Sequence, residues 1–266
     1  MFELNKKSIK IFAAFILFII CLVIFSYSKT ESLSSKQYTV NILNTYPHDN
    51  AAFTQGLVFD NGYLYESTGL HGKSSIRKVE IDSGRILMKR DLSRQFFGEG
   101  ITILDDKIYQ ITWRSKTGFI YDKKNFNYIG SFSYQTEGWG ITQDGKHLII
   151  SDGSSKLYFM DPSSYKILKI LHVKTIDGKP IIYLNELEYI DNKIYSNIWQ
   201  SDKIVVIDPI TGIAENWIDL SPLKDGIASN EKTDVLNGIA YNPDSKTFYI
   251  TGKLWPKLFE IELKSN

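Results

Sequence analysis

One unit recurs five times along this chain, and that recurrence narrows the possible folds more than any other feature. Each copy is a short apolar strand, a tight polar turn and a second, alternating strand. The copies are GLVFDNGYLYESTG (56–69), GITILDDKIYQITW (100–113), GITQDGKHLIISDG (140–153), LEYIDNKIYSNIW (187–199) and GIAYNPDSKTFYITGKLW (238–255). Their turns, such as Asp60-Asn61-Gly62, Asp105-Asp106 and Asp191-Asn192, have the residues that a hairpin requires. A third strand follows every hairpin (SSIRKVEI, GFIYD, KLYFMD, KIVVID, KLFEIEL), and in several copies a fourth, as in RILMKRDL and ENWIDL. No amphipathic helix separates them. A four-stranded unit with a period of roughly 45 residues is the signature of a β-propeller, so the expected fold is all-β with five blades. The last unit stops after its third strand, and residues 38–44, YTVNILN, are a spare strand. That strand is expected to complete the fifth blade and close the ring, which removes exposed sheet edges. A β-sandwich would leave the repeat unexplained.

Upstream of the repeats the chain changes character. Lys6, Lys7 and Lys10 precede an uncharged apolar run over residues 11–27, IFAAFILFIICLVIFSY. Seventeen residues in a helix reach about 25 Å, the low end for a bilayer core. Basic residues on its N-terminal side place that end in the cytoplasm and the rest outside. Three segments are therefore expected: an N-terminal hydrophobic helix acting as membrane anchor or signal (1–28), a polar linker (29–37) and the propeller (38–266). Ser26 and Ser28 offer a small-x-small pattern for cleavage, but the run is long for a cleaved signal, and an uncleaved anchor is expected. The propeller would then be exported, membrane-attached through the N-terminal segment only, and monomeric.

Composition excludes several classes of function. The 31 basic and 30 acidic residues nearly cancel, so no long-range field draws nucleic acid. A single cysteine, Cys21, rules out an intrachain disulfide and any multi-thiolate zinc site. The four histidines (His48, His71, His147, His172) form no H-x3-H or HExxH pair. No metal or other cofactor is expected.

In a blade, the start of the first strand and the end of the second lie on the same face of the ring. First-strand starts carry Phe53-Thr54-Gln55, Gly98-Glu99, Gly138-Trp139, Asn185-Glu186 and Leu236-Asn237. Second-strand ends carry Glu66-Ser67-Thr68, Thr112-Trp113, Ser151-Asp152, Asn197-Ile198-Trp199 and Lys253-Leu254-Trp255. Four of the five tryptophans meet a few carboxylates, amides and one lysine there. That face is expected to hold an aromatic-walled pocket, the form taken by a small-molecule or peptide-end site.

At these residues the sequence resembles a known family. The strings FTQGL (53–57), ESTGLHGKSSIR (66–77), FGEGIT (97–102), ITW (111–113), EGWGIT (137–142), LNELEYI (184–190), NIW (197–199), LNGIAY (236–241) and GKLWPKLFEI (252–261) resemble glutaminyl cyclases of the plant and bacterial type, glutaminyl-peptide cyclotransferases built as five-bladed propellers. The resemblance implies conversion of N-terminal glutamine of peptides or proteins to pyroglutamate with release of ammonia. It makes Glu99 the general acid/base, with Lys253 beside it in the catalytic machinery. Phe53, Gln55, Trp113, Trp139, Asn185 and Trp199 become substrate-binding residues. Two other readings stay open on residue chemistry alone. One is a propeller that binds peptide or glycan without turnover. The other is a metal-dependent lactonase-type hydrolase, for which Glu66, Glu99, Asn185 and Asn237 would have to converge on an ion.

Overall fold

The computed structural model describes residues 38–227 and 232–265. The apolar run, the linker and the expected N-terminal helix lie outside them. Among the described residues no helix is long and apolar enough to cross a membrane.

Among the described residues, twenty strands make five four-stranded antiparallel sheets. Strand β1 (Tyr38–Pro47) opens the chain. The first sheet is β2 (Thr54–Asp60), β3 (Tyr63–Thr68), β4 (Ser75–Glu80) and β5 (Ile86–Asp91), in that order. The second is β6 (Gly98–Leu104), β7 (Lys107–Thr112), β8 (Thr117–Asp122) and β9 (Tyr128–Ser133). The third is β10 (Ile141–Gln143), β11 (Leu148–Ser151), β12 (Lys156–Met160) and β13 (Ile167–His172). The fourth is β14 (Leu184–Ile190), β15 (Lys193–Ile198), β16 (Lys203–Ile207) and β17 (Ala214–Asp219). The fifth consists of β18 (Leu236–Asn242), β19 (Thr247–Gly252) and β20 (Lys257–Ser265), with β1 as its fourth strand. β1 pairs antiparallel with β20 from Tyr38↔Ser265 to Pro47↔Lys257, so the last sheet joins both ends of the described chain.

Local chemistry explains the hairpins. Asn61 and Gly62 both take positive φ (50° and 81°), as do Asp191 and Asn192 (47° and 61°), which matches the right-handed twist of the flanking strands. First strands such as β2 are buried over most of their length, whereas outer strands such as β5 are largely exposed. Apolar side chains collect in the seams between sheets. Val58, Tyr65 and Ile76 meet Ile101, Ile103 and Ile108 between the first and second sheets. Leu57, Leu64 and Val79 meet Ala240, Tyr249 and Leu258 between the first and the fifth.

The first strands crowd the centre. A Cβ on Gly56 would come within 2.6 Å of the Ile101 nitrogen, and one on Gly100 within 2.6 Å of the Ile141 nitrogen. Only glycine admits that approach. The fourth sheet departs from the pattern and carries Glu186 at the equivalent place. Its buried carboxyl accepts hydrogen bonds from the Leu57 N–H (3.3 Å) and the Ile239 N–H (2.9 Å), tying the fourth sheet to the first and fifth. Burial and nearby Glu188 hold its proton affinity well above the usual carboxylate range.

Candidate active site

Four of the five first strands break register near their start: between Thr54 and Gly56, Gly98 and Ile101, Leu184 and Leu187, and Leu236 and Ile239. A bulge re-aims the side chain at the break. The residues placed there include Gln55, Glu99, Asn185 and Asn237, and Trp139 precedes β10 in the third sheet. At the far end of each hairpin, the residue just past the second strand is Gly69, Trp113, Asp152, Trp199 or Lys253. A left-handed residue follows in four of the five sheets: Leu70 (φ 76°), Gly153 (φ 78°), Gln200 (φ 65°) and Leu254 (φ 60°). The chain therefore turns away sharply there, leaving the preceding side chain at the pocket edge.

These two rings of positions enclose a cavity of about 310 Å³ lined by Phe53, Gln55, Phe97, Glu99, Trp113, Trp139, Asn185, Trp199 and Lys253. All eight residues named from the sequence are in that lining. Phe97 is the addition. It sits two residues before Glu99, as Phe53 sits two before Gln55, so superposing the repeats would have found it. The Phe97 ring packs edge-on against Phe53 (6.1 Å) and Trp113 (5.7 Å). Gly69 makes room for it, because a Cβ there would lie 2.5 Å from the ring. Trp139 and Trp199 meet at 5.7 Å, nearly perpendicular.

Several residues assigned to this face from the sequence stand outside the lining, Trp255, Glu66 and Asn237 among them. Trp255 is 1% exposed in the core between the fourth and fifth sheets, its indole donating to the Asp234 carbonyl at 2.8 Å. The left-handed turn at Leu254 carries it away from Lys253. Glu66 faces the seam between first and fifth sheets, where its Oε1 takes hydrogen bonds from Thr54 Oγ1 (2.7 Å) and His48 Nε2 (3.0 Å). Asn237 is outside the lining and donates to the Thr54 carbonyl (3.1 Å) and to Gln55 Oε1 (3.3 Å), which fixes the Gln55 amide. The four-ligand set weighed for a metal hydrolase is thus dispersed. Among the described residues, no three His, Cys, Asp or Glu side chains group to hold an ion.

Glu99 and Lys253 are each 5% exposed. Burial drives the Glu99 proton affinity well above the ordinary carboxylate range; the Lys253 charge opposes that rise and the Glu137 charge adds to it. Burial likewise lowers the Lys253 proton affinity, against the pull of Glu99 and Asp234. The Lys253 ammonium lies 4.9 Å from the Phe53 ring centre, a cation–π contact. Asn185 Oδ1 is buried without a hydrogen-bond partner. Outside the lining, Glu137 Oε2 accepts both the Trp113 indole N–H (2.8 Å) and the Trp139 indole N–H (3.1 Å), and Arg114 Nε reaches Oε1 at 3.3 Å. Two walls are thereby anchored from behind.

A larger cavity of about 480 Å³ lies among the turns at the opposite end, lined by Asp60, Tyr63, Lys78, Asp106 and Lys123 among others. Its charges are engaged locally, with Lys123 paired to Asp60 at 3.2 Å and Lys78 over the Tyr63 ring at 3.9 Å. Of these two cavities, the smaller combines aromatic walls with a carboxyl and an amine of displaced proton affinity, the combination that marks a reactive site.

Comparison with known proteins points to the same pocket-bearing fold. The sequence matches the glutamine cyclotransferase family over residues 16–263. It is 44% identical over 243 residues to a glutaminyl-peptide cyclotransferase of Arabidopsis thaliana, covering 90% of this chain and 76% of that relative. The crystal structure of Myxococcus xanthus glutaminyl cyclase superposes with a TM-score of 0.81 at 34% identity, covering 88% of this chain and 100% of that one.

Proposed function

The chain belongs to the glutamine cyclotransferase family and is an acyltransferase of the glutaminyl-peptide kind; from that premise we propose a metal-independent mechanism in which Glu99 moves the one proton that the reaction has to relocate. The substrates are peptides or proteins with N-terminal glutamine. The α-amine attacks the side-chain amide carbon, a five-membered lactam forms, and the amide nitrogen departs as ammonia. One proton must pass from the attacking nitrogen to the leaving one, and a single carboxyl can accept and then return it. The observation that carries this reading is the placement of Glu99, a buried carboxyl walled by indole rings, in the same cavity as Lys253.

The surrounding side chains divide the remaining work. The faces of Trp113, Trp139 and Trp199, with Phe53, confine the glutamine chain in a curled conformation that brings amine and amide together. The unpaired Asn185 Oδ1 accepts an N–H of the substrate. Lys253, aided by Gln55, stabilises the oxyanion that develops on the amide oxygen.

A bell-shaped pH dependence of kcat follows. Glu99 must be ionised to accept the proton and the bound α-amine must be neutral to attack, so the acid limb lies above the ordinary carboxylate range, with the raised Glu99 affinity contributing to it. Lys253 must be protonated to stabilise the oxyanion, and its lowered affinity brings the alkaline limb below the ordinary lysine range. The two limbs belong to the pair rather than to either residue alone. Turnover measured at saturating peptide across pH checks this. An acid limb at the pKa of a free carboxylate, about 4.3, would refute the role given to Glu99.

We further propose that residues 11–27 anchor the chain in a membrane with the propeller on the extracytoplasmic side, on the strength of the apolar run and the three lysines before it. Protease added to intact cells should then remove the propeller; full protection would contradict the orientation.

A further inference from the structure

We propose that Glu137 is a positioning residue for the cyclisation: its one carboxylate fixes Trp113 and Trp139 as walls of the glutamine pocket. This rests on the activity proposed above. Glu137 sits two residues before Trp139, the place that phenylalanine occupies before Gln55 and Glu99. There it faces the outer side of the wall. A single oxygen, Oε2, accepts both indole N–H groups, one from the end of β7 and one from the start of the third sheet. The carboxylate thus joins two blades where their indoles wall the pocket.

The arrangement has a second consequence. An indole carries one hydrogen-bond donor, and both donors here point out of the cavity at Glu137. The cavity therefore meets the carbon faces and edges of these rings, and no indole N–H from Trp113 or Trp139 is left to solvate the Glu99 carboxylate. Arg114 completes the clamp from outside: its guanidinium lies 3.9 Å from the Trp113 ring centre, and its Nε reaches Glu137 Oε1. Burial works against the Glu137 charge, but the bonds from Trp139, Trp113 and Arg114 outweigh it and hold the group ionised. From behind the wall that fixed negative charge acts on Glu99 through space, alongside Lys253 and the nearby Tyr134 hydroxyl, and it raises the Glu99 proton affinity.

Two substitutions separate orientation from charge. In Glu137→Gln the amide oxygen can still accept both indole donors, while the charge is gone. In Glu137→Ala both are lost. Steady-state kinetics with a Gln-initiated peptide, pH profiles of kcat and near-ultraviolet circular dichroism should be recorded for both variants and for the unaltered full chain. Glu137→Ala is expected to raise KM and to lower kcat/KM roughly tenfold to a hundredfold, as a small displacement of positioning groups does. Its tryptophan dichroism should change. Glu137→Gln is expected to keep KM and the dichroism close to those of the unaltered chain while the acid limb moves to lower pH. If Glu137→Ala does not fold, Glu137→Met, which fills the space but offers the indoles no oxygen acceptor, takes its place in the same measurements. The proposal is overturned if Glu137→Ala keeps kcat/KM within about twofold, a change too small for a lost positioning bond, or if Glu137→Gln, which keeps the acceptor, loses as much as Glu137→Ala. Absence of turnover in the unaltered chain would instead refute the activity, and the dichroism would still report whether Glu137 holds the two rings.

Discussion

Replacing Glu99 by glutamine should abolish measurable cyclisation while leaving the ring folded and the pocket able to bind peptide. Glutamine preserves the volume and a hydrogen-bonding group at the bulged start of β6, so the walls have no reason to move. It cannot take a proton from the attacking amine at any accessible pH, and the general acid/base contribution, about 10²–10⁴-fold in rate, is lost with it. The loss should fall on kcat, with KM little changed, because the proton moves only as the transition state is reached. Turnover like that of the unaltered chain would remove Glu99 from the mechanism. Thermal unfolding measured on the same sample separates lost chemistry from lost structure.

The largest effect on stability is expected at Glu66, which has no place in the pocket. It lies in the seam that joins the first sheet to the fifth, inside a buried polar cluster. His48 bridges Glu66 Oε1 (3.0 Å) and the Trp255 carbonyl (2.7 Å), and Arg77 stands 3.7 Å from Glu66 Oε2 while pairing with Asp49 at 2.7 Å. Burial disfavours the His48 charge, yet the attraction and hydrogen bond of Glu66 outweigh it and raise its proton affinity. Burial disfavours the Glu66 charge too, and His48, Arg77 and Thr54 together reverse that, lowering its pKa. Glu66→Ala would remove the buried carboxylate that His48 and Arg77 share, leaving His48 without its ion-pair partner and Arg77 with Asp49 alone. The loss should be about 3–5 kcal/mol, the usual penalty for breaking such a pair. At about 2–4 °C per kcal/mol for a chain of this size, Tm should fall by roughly 6–20 °C. A fall below about 2 °C, under the response to a single kcal/mol, would show that the seam does not depend on this cluster.

Linkage gives the same cluster a pH signature. The His48 contribution is complete below the unfolded value of 6.5 and fades as pH rises through its raised folded value. The Glu66 contribution is complete above the unfolded value of 4.5 and fades as pH falls through its lowered folded value. Both are whole between those two pH values, and the stability difference between the parent and Glu66→Ala should be greatest there.

Much of the architecture was legible because a propeller repeats itself. Each turn, each first strand and each pocket-edge residue appears five times, so a position such as Glu99 could be compared with Gln55, Trp139, Asn185 and Asn237 before any coordinates. The strand ends then fell on one face as a matter of alternation and connectivity. What escaped was whatever depends on how the chain leaves a strand or on contacts between blades. Trp255 follows Lys253 by two residues, and only the left-handed Leu254 turns it into the core. Glu66 looked like a mouth residue because it ends a strand, but its partner His48 comes from the crossover between β1 and β2. Glu137 escaped for a related reason. Its partners, Trp113 and Trp139, belong to different sheets, and nothing in the local string EGWGIT shows a carboxylate turned towards both indoles. Glu186 fills the place that glycine holds in the other four sheets, a break in the repeat visible in the sequence whose reason emerges only from the bonds to Leu57 and Ile239.

Mass spectrometry of two peptides, identical except that one has a free N-terminal glutamine and the other an acetylated one, tests the chemistry most directly when the chain is assayed in excess chelator. Intramolecular attack by a neutral α-amine requires the free peptide to lose one ammonia and the acetylated peptide to remain unchanged. Deamidation of the acetylated glutamine to glutamate would identify a hydrolase that uses water in place of the amine. Activity that vanishes with chelator and returns with one added metal would contradict proton transfer by Glu99 unaided.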